Sequence, residues 1–93
     1  MTLMTTRPRL SRKVRLRFDR RTGRHLLLYP ETGLELNDTA TAIVRLCTGE
    51  RSIDDIVDHL TGSYRDASPG KISRAVREFL AVLADRGLLR GAT

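Results

Sequence analysis

The sequence predicts a small α+β domain with a winged-helix-like layout, in which a three-stranded antiparallel meander is followed by three helices. Two observations carry this prediction. Over residues 14–36, short apolar or alternating segments are separated by polar turns, which is the pattern of strands. From Asn37 onward, apolar residues recur every three or four positions between capping residues, which is the pattern of amphipathic helices. A chain of 93 residues forms one domain, so the sheet and the helices are expected to share one core.

The predicted strands are short and follow one another closely. Residues 14–18 alternate three apolar side chains with two arginines, which indicates a half-buried strand with a basic outer side. Residues 26–29 form a continuous apolar run that suits the middle of a sheet, and Pro30 ends it because proline cannot donate to the ladder. After a predicted turn at 31–33, residues 34–36 alternate again. Short connections favour an antiparallel meander whose edges are the first and third strands.

The helical half is marked by start and stop signals. Asparagine or serine precedes each apolar stripe and can cap its first turn, and a glycine follows each stripe. In the second helix, an acidic residue three positions after the serine completes a capping box. The third helix begins with proline, which fits a first helical position. The predicted helices lie between these pairs of signals: Asn37 and Gly49, Ser52 and Gly62, and Ser68-Pro69 and Gly87.

The two ends of the chain and its single cysteine complete the outline. Residues 1–9 offer few core candidates and are expected to be a flexible N-terminal tail, which leaves residues 10–90 as the domain. One cysteine, Cys47, excludes an internal disulfide and fits a reducing compartment. The sequence has no apolar run of membrane-spanning length and no apolar signal-peptide segment. A cytoplasmic protein without membrane contact is therefore expected.

The positive charge is confined to the predicted sheet half. Residues 1–30 hold eight arginines and Lys13 against one acid, Asp19, which gives this half a net charge of +8. Residues 31–93 hold eight basic and ten acidic residues, a net charge of −2. The sheet half is expected to attract an acidic partner, whether nucleic acid, an acidic peptide or an acidic protein surface. The alternative is a solubilising arm that binds nothing.

No residue pattern predicts catalysis, a cofactor or a metal. His25 and His59 each lack a second histidine or cysteine at ligand spacing. Cys47 lies on the apolar side of the first helix and is interpreted as a small core residue. Three aspartates within residues 54–58 fit a solvated, capping face of the second helix. The glycines are dispersed as turn and cap residues rather than grouped into a phosphate-binding loop.

Two binding functions remain open from the residues themselves. A winged-helix DNA-binding protein would place its third helix in the major groove, but the polar residues of that helix are mixed in charge. A peptide-binding protein would use the edge strand 34–36, because an extended peptide can add to an exposed edge through backbone hydrogen bonds. An edge that is merely short and binds nothing is equally consistent with these residues.

Several segments resemble one family over most of the chain, about residues 10–90. The most characteristic are Tyr-Pro-Glu at 29–31 and Leu-Asn-Asp-Thr-Ala at 36–40. The segments 15–19 and 47–56, and the C-terminal part from 79 to 89, are also similar. The chain resembles pyrroloquinoline quinone (PQQ) biosynthesis protein D, the PqqD family.

The resemblance implies a peptide chaperone that carries no cofactor and makes no bond itself. Members of this family bind a ribosomally made precursor peptide (PqqA) and present it to a radical S-adenosylmethionine enzyme (PqqE), which crosslinks a Glu and a Tyr of the peptide. Transferred to this chain, the peptide lies along residues 34–36 and faces the third helix. The resemblance implies backbone contacts at Gly33, Leu34, Glu35, Leu36 and Asn37, groove walls at Ile72, Val76 and Leu80, and charge pairing at Arg74 and Arg77.

Some alternatives stay open at this stage. The stripe of Ile72, Val76 and Leu80 is equally consistent with plain core packing. An adaptor that docks the enzyme without touching the peptide is a further hypothesis. The sequence does not decide between a monomer and a dimer, because exposed edge strands permit either.

Overall fold

The computed structural model describes residues 7–29 and 32–90, and it confirms the predicted α+β class. A three-stranded antiparallel sheet precedes three helices, and a pair of two-residue strands joins the two ends of the described chain. The elements in chain order are β1 (Arg9–Leu10), β2 (Arg15–Asp19), β3 (Arg24–Tyr29), β4 (Thr32–Leu36), α1 (Asp38–Leu46), α2 (Ile53–Ser63), α3 (Pro69–Asp85) and β5 (Leu89–Arg90).

The predicted meander is confirmed, with β3 between β2 and β4. The register places Leu16, Leu27 and Leu34 in one row across the sheet. Leu27 is completely buried, and the other two pack against the same core, so this row marks the sheet face that the helices cover. The continuous apolar run of β3 therefore reflects its central position.

β4 is longer than its alternating pattern predicts. It begins at Thr32 because the pairing Tyr29↔Thr32 and Leu28↔Gly33 continues directly from β3. Thr32 and Gly33, which were expected in a turn, are therefore strand residues. Pro30 and Glu31, the remaining positions of that predicted stop and turn, lie outside the described residues.

The capping signals identify the helix starts correctly. Asn37 Oδ1 accepts the backbone N–H of Ala40 at 2.7 Å, and Ser52 with Asp55 forms a complete capping box. Ser68 caps α3, whose first residue is proline. The predicted stops are less accurate: α1 ends at Leu46, before Gly49, whereas α2 continues one residue past Gly62 to Ser63. Gly62 lowers the stability of the helix but does not prevent Ser63 from being helical.

The N-terminal segment packs more extensively than expected for a tail that includes residues 7–9. Pro8 is fully buried, and its carbonyl accepts the N–H of Gly49 at 3.0 Å. Arg9 pairs with Arg90, so β1 and β5 form a two-stranded sheet. These residues therefore make long-range backbone contacts with the domain, although the segment has little apolar content. The rest of the predicted tail, residues 1–6, lies outside the described range.

Candidate functional site

β4 is an edge strand of the described sheet. It pairs with β3 on one side, and no described strand pairs with its other side. Its residues include Gly33, Leu34, Glu35 and Leu36 of the predicted site, and Asn37 follows directly as the N-cap of α1. Leu36 is buried and Leu34 is half-buried, while Gly33 and Glu35 are exposed on the opposite face. The backbone of the predicted site is thus placed where a further strand can be added.

An apolar cleft lies beside the end of β4, between the start of α1 and the first half of α3. Its volume is about 270 Å³, and Thr39 and Ala40 form part of its α1 side. Ala75 and Phe79 supply the α3 side. Phe79 is half-buried and packs against the core, so one part of its ring surface belongs to the core and another faces the cleft.

The same side of α3 continues toward the opposite end of β4. Val82 and Arg86 follow Phe79 at three and seven positions, spacings that keep them on one side of a helix. Val82 is 42% exposed, an unusual environment for a large apolar side chain in this chain. Arg86 donates from Nη1 to the Tyr29 hydroxyl at 3.2 Å, next to the residue pair that opens β4. The cleft and this bond thus bring α3 into contact with Asn37, which follows β4, and with Tyr29 of β3.

A second apolar cleft, of about 230 Å³, adjoins the first. The two share Thr39 and Ala75, and Lys71 lies at the margin of the second. Ile72 and Val76 of the predicted groove walls line this second cleft, although Val76 is completely buried and Ile72 nearly so. Both residues act mainly as core and present their surface only as the floor of a cleft.

Leu80 is also part of the core, with 5% of its surface exposed, and it lines neither of these two clefts. The predicted stripe thus holds α3 against the domain. The residues of α3 that line or extend the cleft form a neighbouring stripe, Ala75, Phe79 and Val82. The sequence indicates this second stripe, because small or apolar residues stand at i, i+4 and i+7 beside the stripe of Ile72, Val76 and Leu80.

The two arginines of the predicted site do not face the cleft together. Arg77 donates from Nη2 to Asp54 Oδ1 on α2 at 2.9 Å, and from Nε to Ser73 Oγ at 3.1 Å. Arg74 is exposed on the outer side of α3, about 140° around the helix from Phe79. Of the predicted residues 33–37, Asn37 lines the cleft, and both guanidinium groups lie outside it.

The described residues hold no metal-binding cluster, and their one cysteine is buried. Within residues 7–29 and 32–90 no group of three or more His, Cys, Asp or Glu side chains could hold a metal ion. Burial raises the pKa of the Cys47 thiol to about 12, so this group is a protonated core thiol at neutral pH. Across the same residues, no helix is long and apolar enough to cross a membrane.

The fold and the cleft define a small winged-helix-like domain with an open sheet edge beside an apolar groove. Comparison with known proteins identifies its family: the chain belongs to the PqqD family, because the model of coenzyme PQQ synthesis protein D (PqqD) matches residues 24–89. The resemblance seen in the sequence is thereby confirmed.

Two curated relatives extend this match. A PqqA binding protein of Rhodopseudomonas palustris (strain BisB5) is 40% identical over 87 residues, which cover 94% of this chain and 84% of the relative. A bifunctional coenzyme PQQ synthesis protein C/D of Methylorubrum extorquens is 40% identical over 82 residues, 88% of this chain. The chain spans only 22% of that longer relative.

Two solved structures share the fold. The solution structure of the PqqD truncation of Methylobacterium extorquens PqqCD is a stand-alone recognition element for ribosomally synthesised and post-translationally modified peptides. It aligns with a TM-score of 0.76 at 40% identity, covering 89% of this chain and 87% of that one. TbiB1 in complex with the TbiA(β) leader peptide aligns with a TM-score of 0.74 at 25% identity, covering 89% and 95%.

Proposed function

We propose that this protein is a peptide chaperone of PQQ biosynthesis. It binds the ribosomal precursor peptide, PqqA, along β4 and presents it to the radical S-adenosylmethionine enzyme, PqqE. The observation that carries the proposal is that no described strand pairs with the outer side of β4, while Asn37 at the end of β4 lines an apolar cleft with Ala75 and Phe79. The names of the relatives and the TbiB1 complex with a leader peptide support the same assignment.

Strand addition explains how such a site can recognise a peptide. Backbone hydrogen bonds from β4 hold any extended segment, and they supply affinity without sequence preference. Alternate side chains of the added strand point to opposite faces of the sheet. Those that point toward α3 meet Phe79 and Val82, so an apolar residue at these alternate positions is favoured. Specificity therefore resides in the cleft, and register along the peptide is set there.

The proposal assigns no covalent step to the domain. The protonated Cys47 thiol is buried at the C-terminal end of α1 and cannot act as a nucleophile toward a peptide on β4. The bond-forming chemistry then belongs to the partner enzyme. The chaperone contributes orientation and an extended peptide conformation, which lowers the ordering cost of the later enzyme complex.

A backbone amide titration tests the proposal directly. Unlabelled PqqA is added to isotopically labelled protein, and amide shifts are followed by NMR. We expect saturable shifts over residues 33–37 and at Ala75, Phe79 and Val82, while the α2–α3 connection at 64–67 stays unchanged. A peptide of the same composition in scrambled order serves as the control, because it offers the backbone but not the spacing of apolar side chains. If residues 33–37 do not shift at saturating peptide, the proposed site is wrong.

A further inference from the structure

The outer face of the sheet carries an apolar centre that the core does not use. Leu26 and Leu28 alternate with the buried Leu27 and therefore point away from the helices. Both are half-buried, and neither belongs to the core cluster or to the hydrophobic residues packed against it. Leu28 lies over Gly33 on this face, since a Cβ at position 33 would be 3.3 Å from Leu28 Cδ2.

Basic side chains flank this apolar centre on β2. The register pairs Arg15 with Leu28 and Arg17 with Leu26, and both arginines are exposed. In the part of the chain that the structure describes, neither arginine takes part in a salt bridge.

Each acidic side chain of the same face lies close to an arginine. Arg24 Nη1 binds Glu35 Oε1 at 3.1 Å, and Arg21 Nε lies 3.9 Å from Asp19 Oδ1. The face therefore combines two leucines with Arg15 and Arg17, which form no salt bridge among the described residues.

We infer that the outer sheet face, formed by Arg15, Arg17, Leu26 and Leu28, docks a partner protein whose contact surface carries carboxylates around an apolar centre. Arginine and apolar residues are enriched in the centres of protein interfaces, and guanidinium groups match carboxylates in bidentate geometry. The phosphates of a nucleic acid would pair with the arginines, but phosphate and sugar offer the two leucines no apolar surface to pack against. The combination therefore favours a protein over a nucleic acid.

The docking face and the peptide cleft lie on opposite sides of the sheet. Side chains of β3 alternate between the two faces, so a partner that covers Leu26 and Leu28 leaves the Phe79 side of α3 open. A bound peptide and a docked protein can therefore occupy the domain together. The inference uses the proposed function only for the choice of probe, which is PqqE, the enzyme proposed to receive the peptide.

Charge reversal on this face tests the inference. The variant Arg15→Glu/Arg17→Glu is compared with Arg65→Glu/Arg90→Glu, a control with the same change in net charge at exposed positions outside the sheet face. Binding of PqqE is measured by calorimetry or biolayer interferometry, with and without saturating PqqA. We expect the first variant to weaken PqqE binding about tenfold or more and the control to leave it near wild type. Equal losses in the two variants would overturn the inference, since they would report net charge alone.

Two further measurements separate the inference from its alternatives. PqqA affinity is measured for both variants, and retained affinity in Arg15→Glu/Arg17→Glu shows that the peptide site and the fold are intact. If wild-type protein does not bind PqqA at all, the proposed function fails, whereas the comparison of PqqE affinities still tests the docking face. Wild-type binding to a duplex DNA, tighter than to PqqE and abolished by the same double reversal, would assign the face to nucleic acid and overturn the inference.

Discussion

Arg77 on α3 binds Asp54 on α2, with Nη2 2.9 Å from Oδ1. Ser73, one turn earlier on α3, accepts a second hydrogen bond from the same guanidinium. The side of α3 that carries Arg77 therefore faces α2, and the side that carries Ala75 and Phe79 lines the cleft. An acidic residue of a peptide on β4 could recruit Arg77 only by breaking its contact with α2.

Replacement of Arg77 by alanine is expected to lower stability slightly and to leave PqqA affinity unchanged. The ion pair is partly exposed and screened by solvent, so the free energy of unfolding should fall by about 0.5 kcal/mol. Urea denaturation measures this change, and Asp54→Ala should give a similar value because it removes the same pair. A large loss of peptide affinity in Arg77→Ala but not in Asp54→Ala would instead place Arg77 in the peptide site.

Much of the fold was predictable from local signals. Strand and helix periods differ, and each helix has a capping residue whose side chain bonds the backbone as predicted, at Asn37, Ser52 and Ser68. The edge position of β4 also followed from chain order, because short turns join successive strands as neighbours. These features depend on residues within a few positions of one another.

Features that depend on distant residues were not predictable. Arg9–Leu10 and Leu89–Arg90 are strands of two residues, too short to show a period, and they exist only because the two ends of the domain meet. The role of the stripe Ala75, Phe79 and Val82 on α3 also depends on residues that are distant in the sequence. A helix period shows which side is buried, but it does not show that Ala75 and Phe79 line a cleft with Asn37 while Arg77 binds Asp54. Residues 33–36 of the predicted site lie on an edge strand of the described sheet, whereas Ile72, Val76 and Leu80 lie in the core.

Introducing a charge at Val82 is expected to weaken peptide binding without unfolding the protein. Because Val82 is already 42% exposed, the carboxylate of Val82→Glu stays in solvent in the free protein. Under a bound peptide the same carboxylate would have to be desolvated. Ala81→Glu is the matched control, because Ala81 is exposed on the outer side of the same helix. Isothermal titration with PqqA should show a loss of about tenfold or more for Val82→Glu only. Equal affinities for the two variants would exclude this side of α3 from the site.

Removal of the cap at Asn37 is expected to destabilise the junction between β4 and α1. Asn37 Oδ1 accepts the Ala40 N–H at 2.7 Å, and the Asn37 carbonyl accepts the Thr41 hydroxyl at 2.9 Å. Asn37→Ala removes only the first bond and should lower the free energy of unfolding by about 1 kcal/mol, as measured by chemical denaturation. Asn37→Ser, which can cap the helix, should recover most of this loss. If serine is no better than alanine, the stabilising contact lies elsewhere.

The buried thiol of Cys47 is expected to lower the free energy of unfolding at alkaline pH. Its pKa is raised from 9.0 to about 12 by burial, so the folded protein retains a proton that the unfolded chain releases above pH 9. A raised folded-state pKa contributes stability that is fully present below the unfolded value and is lost as pH rises toward the folded value. Between pH 9 and pH 12 the free energy of unfolding should therefore fall by up to about 1.4 kcal/mol per pH unit from this group.

The variant Cys47→Ala isolates this contribution, because every other ionisable side chain is the same in both proteins. Its stability at neutral pH will be lower, since a buried sulfur that contacts the Ile43 carbonyl is lost. Its decline between pH 9 and pH 11 should nevertheless be shallower than that of the wild type, when both are followed by urea denaturation at each pH. Parallel declines would show that burial does not raise the pKa of the Cys47 thiol, and the prediction would then be wrong.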